Sequence, residues 1–269
     1  GLSLICPNQR LKTTENSVYH RTYELPVLLY IIHIGIKVKY QRRKMSLFLG
    51  FLWYQVIAIF GLSIGLHRYF SHRQFKVSKL YEVIILLLVT LTGARSPLIW
   101  IGAHRIHHAH ADTDKDPHSP DNVGFWNILF NRWNVKNLWS FKNRKYIRDL
   151  VKNPRIMFFH RYWKYIHLGM AFATILIGID YFIAIIVVPY VLGFFGYGFF
   201  NAGGHKNHKP RTNMWINLLS AGEGFHDVHH RNPTQTRLNK YDISGFIIER
   251  LFNEKETGTS QFSKSKIKS

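Results

Sequence analysis

Cysteine occurs once in these 269 residues, at Cys6, so neither a disulfide framework nor a paired-cysteine zinc or iron–sulfur site is available. Acidic side chains are also scarce: 15 stand against 36 lysines and arginines, giving a formal charge of +21. No GxGxxG, phosphate-binding loop or GxSxG element occurs, and neither a flavin motif nor a haem-binding HPGG segment is present. Internal repeats are missing apart from two short HxxHH units. Imidazole and carboxylate are therefore the metal ligands on offer, and any redox partner must be a separate molecule.

Histidine is what the chain has in quantity. GEGFHDVHH carries His226, His229 and His230; AHRIHHAH repeats the i, i+3, i+4 spacing with His104, His107 and His108; LHRYFSH adds His67 and His72. A single surface HxxHH is usually a solvated helix face, but three clusters together favour a metal site. On a helix, positions i+3 and i+4 flank position i, so each HxxHH directs three imidazoles into one sector and toward a shared point. His67 and His72, five apart, would be splayed by one helix; His67 is expected in a last helical turn and His72 just past it. Asn201 and His205 in FFNAGGH are expected to share a face at i, i+4. Imidazole suits zinc, copper, iron and nickel alike, so spacing leaves the metal open.

The second abundance is apolar: 46% of residues are hydrophobic and 15% aromatic. The uncharged run 45–66 reaches the roughly 20 residues that span a bilayer and ends directly at His67. Residues 168–200, broken only by Asp180, read as a tight helical hairpin starting near Trp163. The run 24–36 is short, at most a first membrane helix, and 80–102 is interrupted by Gly93, Arg95 and Pro97. If all clusters serve one site, residues 73–103 cross the membrane an even number of times and are too short for two crossings. The 80–102 run is then interfacial, or dips in and returns under a protein cover.

The expected fold is an all-α integral membrane protein with about four transmembrane helices, in two hairpins, and a cytosolic helical cap holding the histidines. Residues 45–252 form its domain, 1–44 an untypical leader, and 253–269 a polar tail of disordered composition. Most of the basic excess falls on the histidine side, which the positive-inside rule makes cytoplasmic; KVKYQRRK at 37–44 falls on the opposite face. Topology and anionic headgroups account for this charge. A basic membrane scaffold or nucleic-acid-binding protein with incidental histidines is the non-enzymatic alternative, but no nucleic-acid partner is needed.

In this order the clusters resemble an integral-membrane fatty acyl desaturase of the stearoyl-CoA (Δ9) desaturase type. HRYFSHRQFK resembles the first box, HRIHHAHADTDKDPHSP the second, NAGGH the NxxxH element and GEGFHDVHH the third, while RDLVKNPRIMFFHRYW is similar to the stretch before the third span. The resemblance covers about residues 46–250. It implies two iron ions held by His67, His72, His104, His107, His108, His205, His226, His229 and His230, with Asn201 acting through a water. Asp227 stands where animal relatives commonly have asparagine and is a candidate to orient an imidazole. Trp100 is a candidate for the acyl channel, or else an interfacial anchor. His110, His118, His160, His167 and His208 fall outside the boxes, as do His20 and His33 of the leader.

The implied reaction inserts a cis double bond into a saturated acyl chain with O2 and two electrons from an external donor of the cytochrome b5 or ferredoxin type. Methylene carbons offer neither an acidic proton nor a polarised bond, so metal-activated dioxygen must carry the hard step. Histidine-box lipid hydroxylases are the rival within the same chemistry. Gly102 replaces an arginine typical of animal acyl-CoA enzymes and cannot make a charge-assisted phosphate contact, leaving acyl-CoA and acyl-lipid substrates evenly matched.

Overall fold

The computed structural model of the chain describes residues 15–132 and 138–252, with side chains throughout these except at residues 15–28, 218 and 219. The polar tail and the first fourteen residues of the leader lie outside the described residues. Every regular element among the described residues is helical, accompanied by two isolated bridges, His205 with Pro210 and Thr212 with Phe225. Residues 1–45 and 46–269 form two compact units.

In place of the expected first hairpin, one helix, α1, runs over Glu15–Val56 and takes in both the 24–36 run and the start of the 45–66 run. The reason is local. Between Gly35 and Gly50 there is no glycine or proline to break it, and the lysines, arginines and glutamine of KVKYQRRK are good helix formers.

A π-helical stretch, Ile57–Ser71, follows α1 directly and carries His67 near its end. In such a helix the hydrogen bonds close between residues five apart, and the His72 N–H donates to the His67 carbonyl at 3.2 Å. An α-helix, at 3.6 residues per turn, would set residues five apart roughly 140° around the axis. His67 thus sits near the helix end and His72 just past it, as expected, and the wide turn brings their ring centroids to 4.9 Å.

The 80–102 run is two helices, divided where Gly93, Arg95 and Pro97 interrupt it. Helix α2, Lys79–Thr90, starts where the Ser78 hydroxyl accepts the Tyr81 N–H, an ordinary N-cap. Its 12 residues extend about 18 Å, too short for a hydrocarbon core of roughly 30 Å. The chain then reverses through Gly93 and Arg95, both with left-handed backbone (φ 66° and 63°). Proline at the first helical position opens α3, Pro97–His110.

Two short helices, α4 (Pro120–Val123) and α5 (Phe125–Leu129), lead toward α6, Pro154–Ile177. The Asn153 side chain caps α6 by accepting from Arg155 and Ile156 N–H, so the hairpin begins earlier than Trp163. Its return arm comprises α7 (Ile179–Phe182), a π turn (Ile183–Val187) and α8 (Val188–Gly204). Helices α9 (Met214–Leu219), α10 (His226–Arg231) and α11 (Ile243–Leu251) complete the chain.

Two stretches, Leu29–Ser71 and Ile179–Gly204, are helical, long and apolar enough to cross a membrane. Phe172 and Leu176 on α6 and Phe195 and Phe199 on α8 stand exposed, an exterior better suited to lipid than to water. The interior core sits where α2 and α3 meet the π stretch, with Leu66, Ile85, Leu86, Leu98 and Ile101 fully buried. That core holds the floor of the histidine site.

Candidate metal centre

The nine histidines gather into two groups, within each of which the candidate ligand atoms all lie within 4.8 Å of one another. One holds His67, His72, His104, His108 and His229; the other holds His107, His205, His226 and His230. Each HxxHH is therefore divided between two points instead of serving one. Helical geometry accounts for the division: relative to position i, i+4 lies about 40° to one side and i+3 about 60° to the other. His104 and His108 accordingly face one group while His107 faces the second, and on α10 His226 and His230 pair while His229 crosses to the first.

His205 arrives by a different route from the one its spacing suggests. Helix α8 ends at Gly204, and His205 is extended (φ −125°, ψ 146°), so it does not share a helical face with Asn201. Its ring meets His226, with Nε2 atoms 2.8 Å apart. Asn201 is buried inside α8 and donates through Nδ2 to the Tyr197 carbonyl.

Three carboxylates that the sequence reading passed over touch the imidazoles. Glu223 Oε2 lies 2.8 Å from His67 Nδ1, Asp116 Oδ1 2.8 Å from His107 Nδ1, and Asp112 Oδ1 2.9 Å from His205 Nδ1. Asp112 and Asp116 occupy the turn directly after α3, and Asp112 reaches His205 from a left-handed backbone, φ 62°. Ligating histidines usually hand their second ring nitrogen to a carboxylate, so DTDKDPH after HRIHH was the readable signal. Asp227, the residue singled out for this role, instead accepts from Thr212 and from Arg231.

These contacts decide what the nitrogens can do. A carboxylate at Nδ1 fixes the ring proton there and leaves a lone pair on Nε2. In the same three rings Nε2 faces another Nε2: His67 to His229 at 2.9 Å, His107 to His230 at 3.2 Å and His205 to His226 at 2.8 Å. Burial holds the imidazoles of His72, His104, His108, His226, His229 and His230 well below their ordinary 6.5, so they are neutral at pH 7. Converging neutral nitrogens are the donor set a transition-metal cation requires. The residues present fit a pair of such ions.

Buried arginines brace the groups. Arg68 makes two 3.0 Å bonds to Asp242 and one of 3.1 Å to Glu223. Arg105, inside the second box, grips Asp149 at 2.7 and 3.0 Å and also donates to the Ser71 and Tyr146 carbonyls.

Trp100 is buried and stacks on His104, with ring centroids 5.0 Å apart and planes 9° from parallel. It helps line a cavity of about 50 Å³ that also reaches His67, Leu62 and Ala58. That burial is not the setting of an interfacial anchor. Gly102, two residues further along α3, is a close-packing position: a Cβ there would lie 2.8 Å from Ile147 Cγ2 and 2.9 Å from Leu138 Cδ1. Of the remaining histidines, His167 donates through Nδ1 to the Thr90 carbonyl, His208 is exposed near Asp121, and His160 meets Ser96. His110 lies beside the Tyr146 hydroxyl. His118 alone among them is fully buried beside His107, ring centroids 5.5 Å apart.

Two buried imidazole clusters on an all-helical scaffold, beside apolar helices of membrane length, define a histidine-box membrane protein. The chain belongs to the fatty acid desaturase family, whose sequence profile matches residues 45–239. It is 30% identical over 194 residues to an sn-1 stearoyl-lipid 9-desaturase from Anabaena variabilis, covering 66% of this chain and 69% of that one. An sn-2 palmitoyl-lipid 9-desaturase from Nostoc sp. (strain 36) is 30% identical over 208 residues, 71% and 73% of the two chains. An acyl-CoA C20 Delta5-desaturase from Anemone leveillei is 29% identical over 224 residues, 77% and 70%.

Proposed function

We propose that this protein is an O2-dependent di-iron desaturase that inserts a cis double bond, at Δ9, into a saturated C16 or C18 acyl chain. The observation that carries this reading is the convergence of nine histidines, six of them buried and three half-buried, into groups of five and four. His67, His72, His104, His108 and His229 would hold one iron, and His107, His205, His226 and His230 the other, with Asn201 contributing through a water. Bound iron supplies the activation of dioxygen that C–H removal demands.

The chain's own residues supply position. Glu223, Asp116 and Asp112 orient one imidazole each, Arg68 and Arg105 fix the elements that carry the ligands, and Trp100 walls the cavity against His104. Electrons balance as follows: reduction of O2 to two waters takes four, of which two leave with the hydrogens of the substrate and two come from an external donor. With a single cysteine and no cofactor motif in the sequence, a cytochrome b5 or ferredoxin type protein is the donor, drawn to the basic surface by charge.

In the membrane, the span ending near His67 and the α6–α8 hairpin leave the histidines on the cytoplasmic side, where the basic excess lies. Reconstitution with a donor and stearoyl phospholipid or stearoyl-CoA tests the reading. An octadecenoyl product with its double bond at carbon 9 and about two irons per chain is expected. A hydroxylated product would move the protein to the rival chemistry, and iron-free folded protein would remove the reading.

A further inference from the structure

The small cavity beside His67 and Trp100 has a larger neighbour. This outer chamber, about 270 Å³, lies between α1 and α8 and is lined by Phe51, Gln55, Leu129, Phe195, Phe199 and Ile216. Tyr54, Gly196, Phe200 and Ser220 line both spaces, so one wall separates them. Tyr54 and Phe200 are buried, whereas Phe51, Phe195 and Phe199 are exposed on the two apolar stretches of membrane length. Gln55 also belongs to one of those stretches, and a polar side chain within a span ordinarily turns toward a protein cavity.

We propose that the outer chamber is a lateral portal through which the acyl chain of a membrane lipid passes from the bilayer to the histidine groups, with Tyr54 and Phe200 as its gate. This rests on the desaturase reading and deepens it, naming a bilayer-borne acyl lipid as the substrate class. Size supports a gate that moves. An apolar cavity of roughly 150 Å³ is enough for a benzene-sized guest, so the outer chamber admits a length of acyl chain. The inner one, about 50 Å³, admits it only when an aromatic wall swings aside. Gly196 sets the width of the passage: a Cβ there would lie 2.7 Å from the Tyr54 hydroxyl oxygen.

The test is photolabelling of the metal-bound protein in phosphatidylcholine vesicles containing a stearoyl phospholipid with a diazirine on its acyl chain. Wild-type protein should carry label at Phe195 and Phe199 in the outer chamber and also at Leu62 and Trp100, which line the inner cavity alone. Gly196→Leu should keep the outer label and lose the inner label several-fold, while Tyr54→Ala should increase labelling at Trp100 several-fold. If Gly196→Leu fails to fold, Tyr54→Ala carries the test in the opposite direction. Label confined to the outer residues in wild type, inner label that survives Gly196→Leu, or inner label obtained only from a stearoyl-CoA diazirine would overturn the portal. Labelling reads access rather than turnover. Protein labelled in its interior but forming no double bond would sink the proposed reaction and leave the portal standing.

Discussion

Glu223 holds His67 with one carboxylate oxygen, at 2.8 Å from Nδ1, and Arg68 with the other, at 3.1 Å from Nε. One buried carboxylate thus joins an imidazole of the five-histidine group to a buried guanidinium, which is itself clamped by Asp242. Burial alone would raise the Glu223 pKa, but His67 and Arg68 beside it bring the group down to about 2. It is anionic at any physiological pH and able to keep the His67 proton on Nδ1.

Replacing Glu223 by glutamine removes the charge and keeps the shape. Loss of a carboxylate behind a metal-bound histidine typically costs about 10–100-fold in metal affinity. Iron retained against a chelator series should fall by that order in Glu223→Gln, with far-UV circular dichroism unchanged. Asp116→Asn, behind His107, should act in the same direction. Wild-type iron retention in both would show that these carboxylates do not orient ligands.

Asp242→Ala addresses the other end of the clamp. Asp242 and Arg68 are both almost completely buried, and Asp242 also caps α11 through the Gly245 N–H. Removing one partner of a buried ion pair strands the other, a loss of about 3–5 kcal/mol. The thermal midpoint in detergent should drop by many degrees. A midpoint within a degree of wild type would mean that water or Glu223 satisfies Arg68 unaided.

The histidines that gather into the two groups were legible in the sequence because their signal is local: two HxxHH units with helical spacing, and the pair His67 and His72 at a helix end. Their division into five and four was latent in the same spacing, since i+3 and i+4 lean to opposite sides of i. The π-helical turn that unites His67 and His72 left no such trace, because it depends on how Ile57–Ser71 packs against α2 and α3. Glu223, Asp149 and Asp242 escaped for a related reason. Each works across a long sequence separation, and only the tertiary fold reveals which isolated carboxylate meets a buried cation or imidazole.

Acid should destabilise the metal-free protein in a defined window. Burial lowers the folded pKa of His118 to about 3 and holds those of His104, His226 and His229 well below 6.5. Below 6.5 the unfolded chain therefore binds protons that the folded chain refuses, and stability rises with pH there. The contribution is complete above about 6.5 and is lost progressively as pH falls toward the lowered folded values, at about 1.4 kcal/mol per group per unit. Thermal midpoints should be level from pH 8 to 7 and fall steeply from 6.5 to 5. A flat profile to pH 5 would contradict buried neutral imidazoles.

His107 and His118 lie side by side but have different tasks. His107 turns Nε2 into the four-histidine group and Nδ1 to Asp116, whereas His118 belongs to neither group. His107→Ala should abolish turnover and lower bound iron; His118→Ala should keep the iron and lose stability through the buried space it vacates. Equal iron loss in the two variants would place His118 among the ligands.

Trp100 lies between the histidine groups and the inner cavity. Its indole lies parallel to His104 and in contact range of Tyr197, with centroids 5.6 Å apart, and forms part of the inner cavity wall. Under the proposed reaction, truncation to alanine would widen the cavity where the acyl chain lies while leaving the Nε2 atom of His104 in place. Because a misplacement of about 1 Å can cost roughly a hundredfold in rate, the position of the double bond should respond before iron binding does. Trp100→Ala should therefore retain close to wild-type iron and yield a mixture of positional isomers, or a shifted chain-length preference, at reduced turnover. Gas chromatography of the products, run beside an iron assay on the same preparation, separates the outcomes. Iron loss would make Trp100 a support for His104 rather than a wall of the channel, and an unchanged product profile with full iron would remove it from both roles.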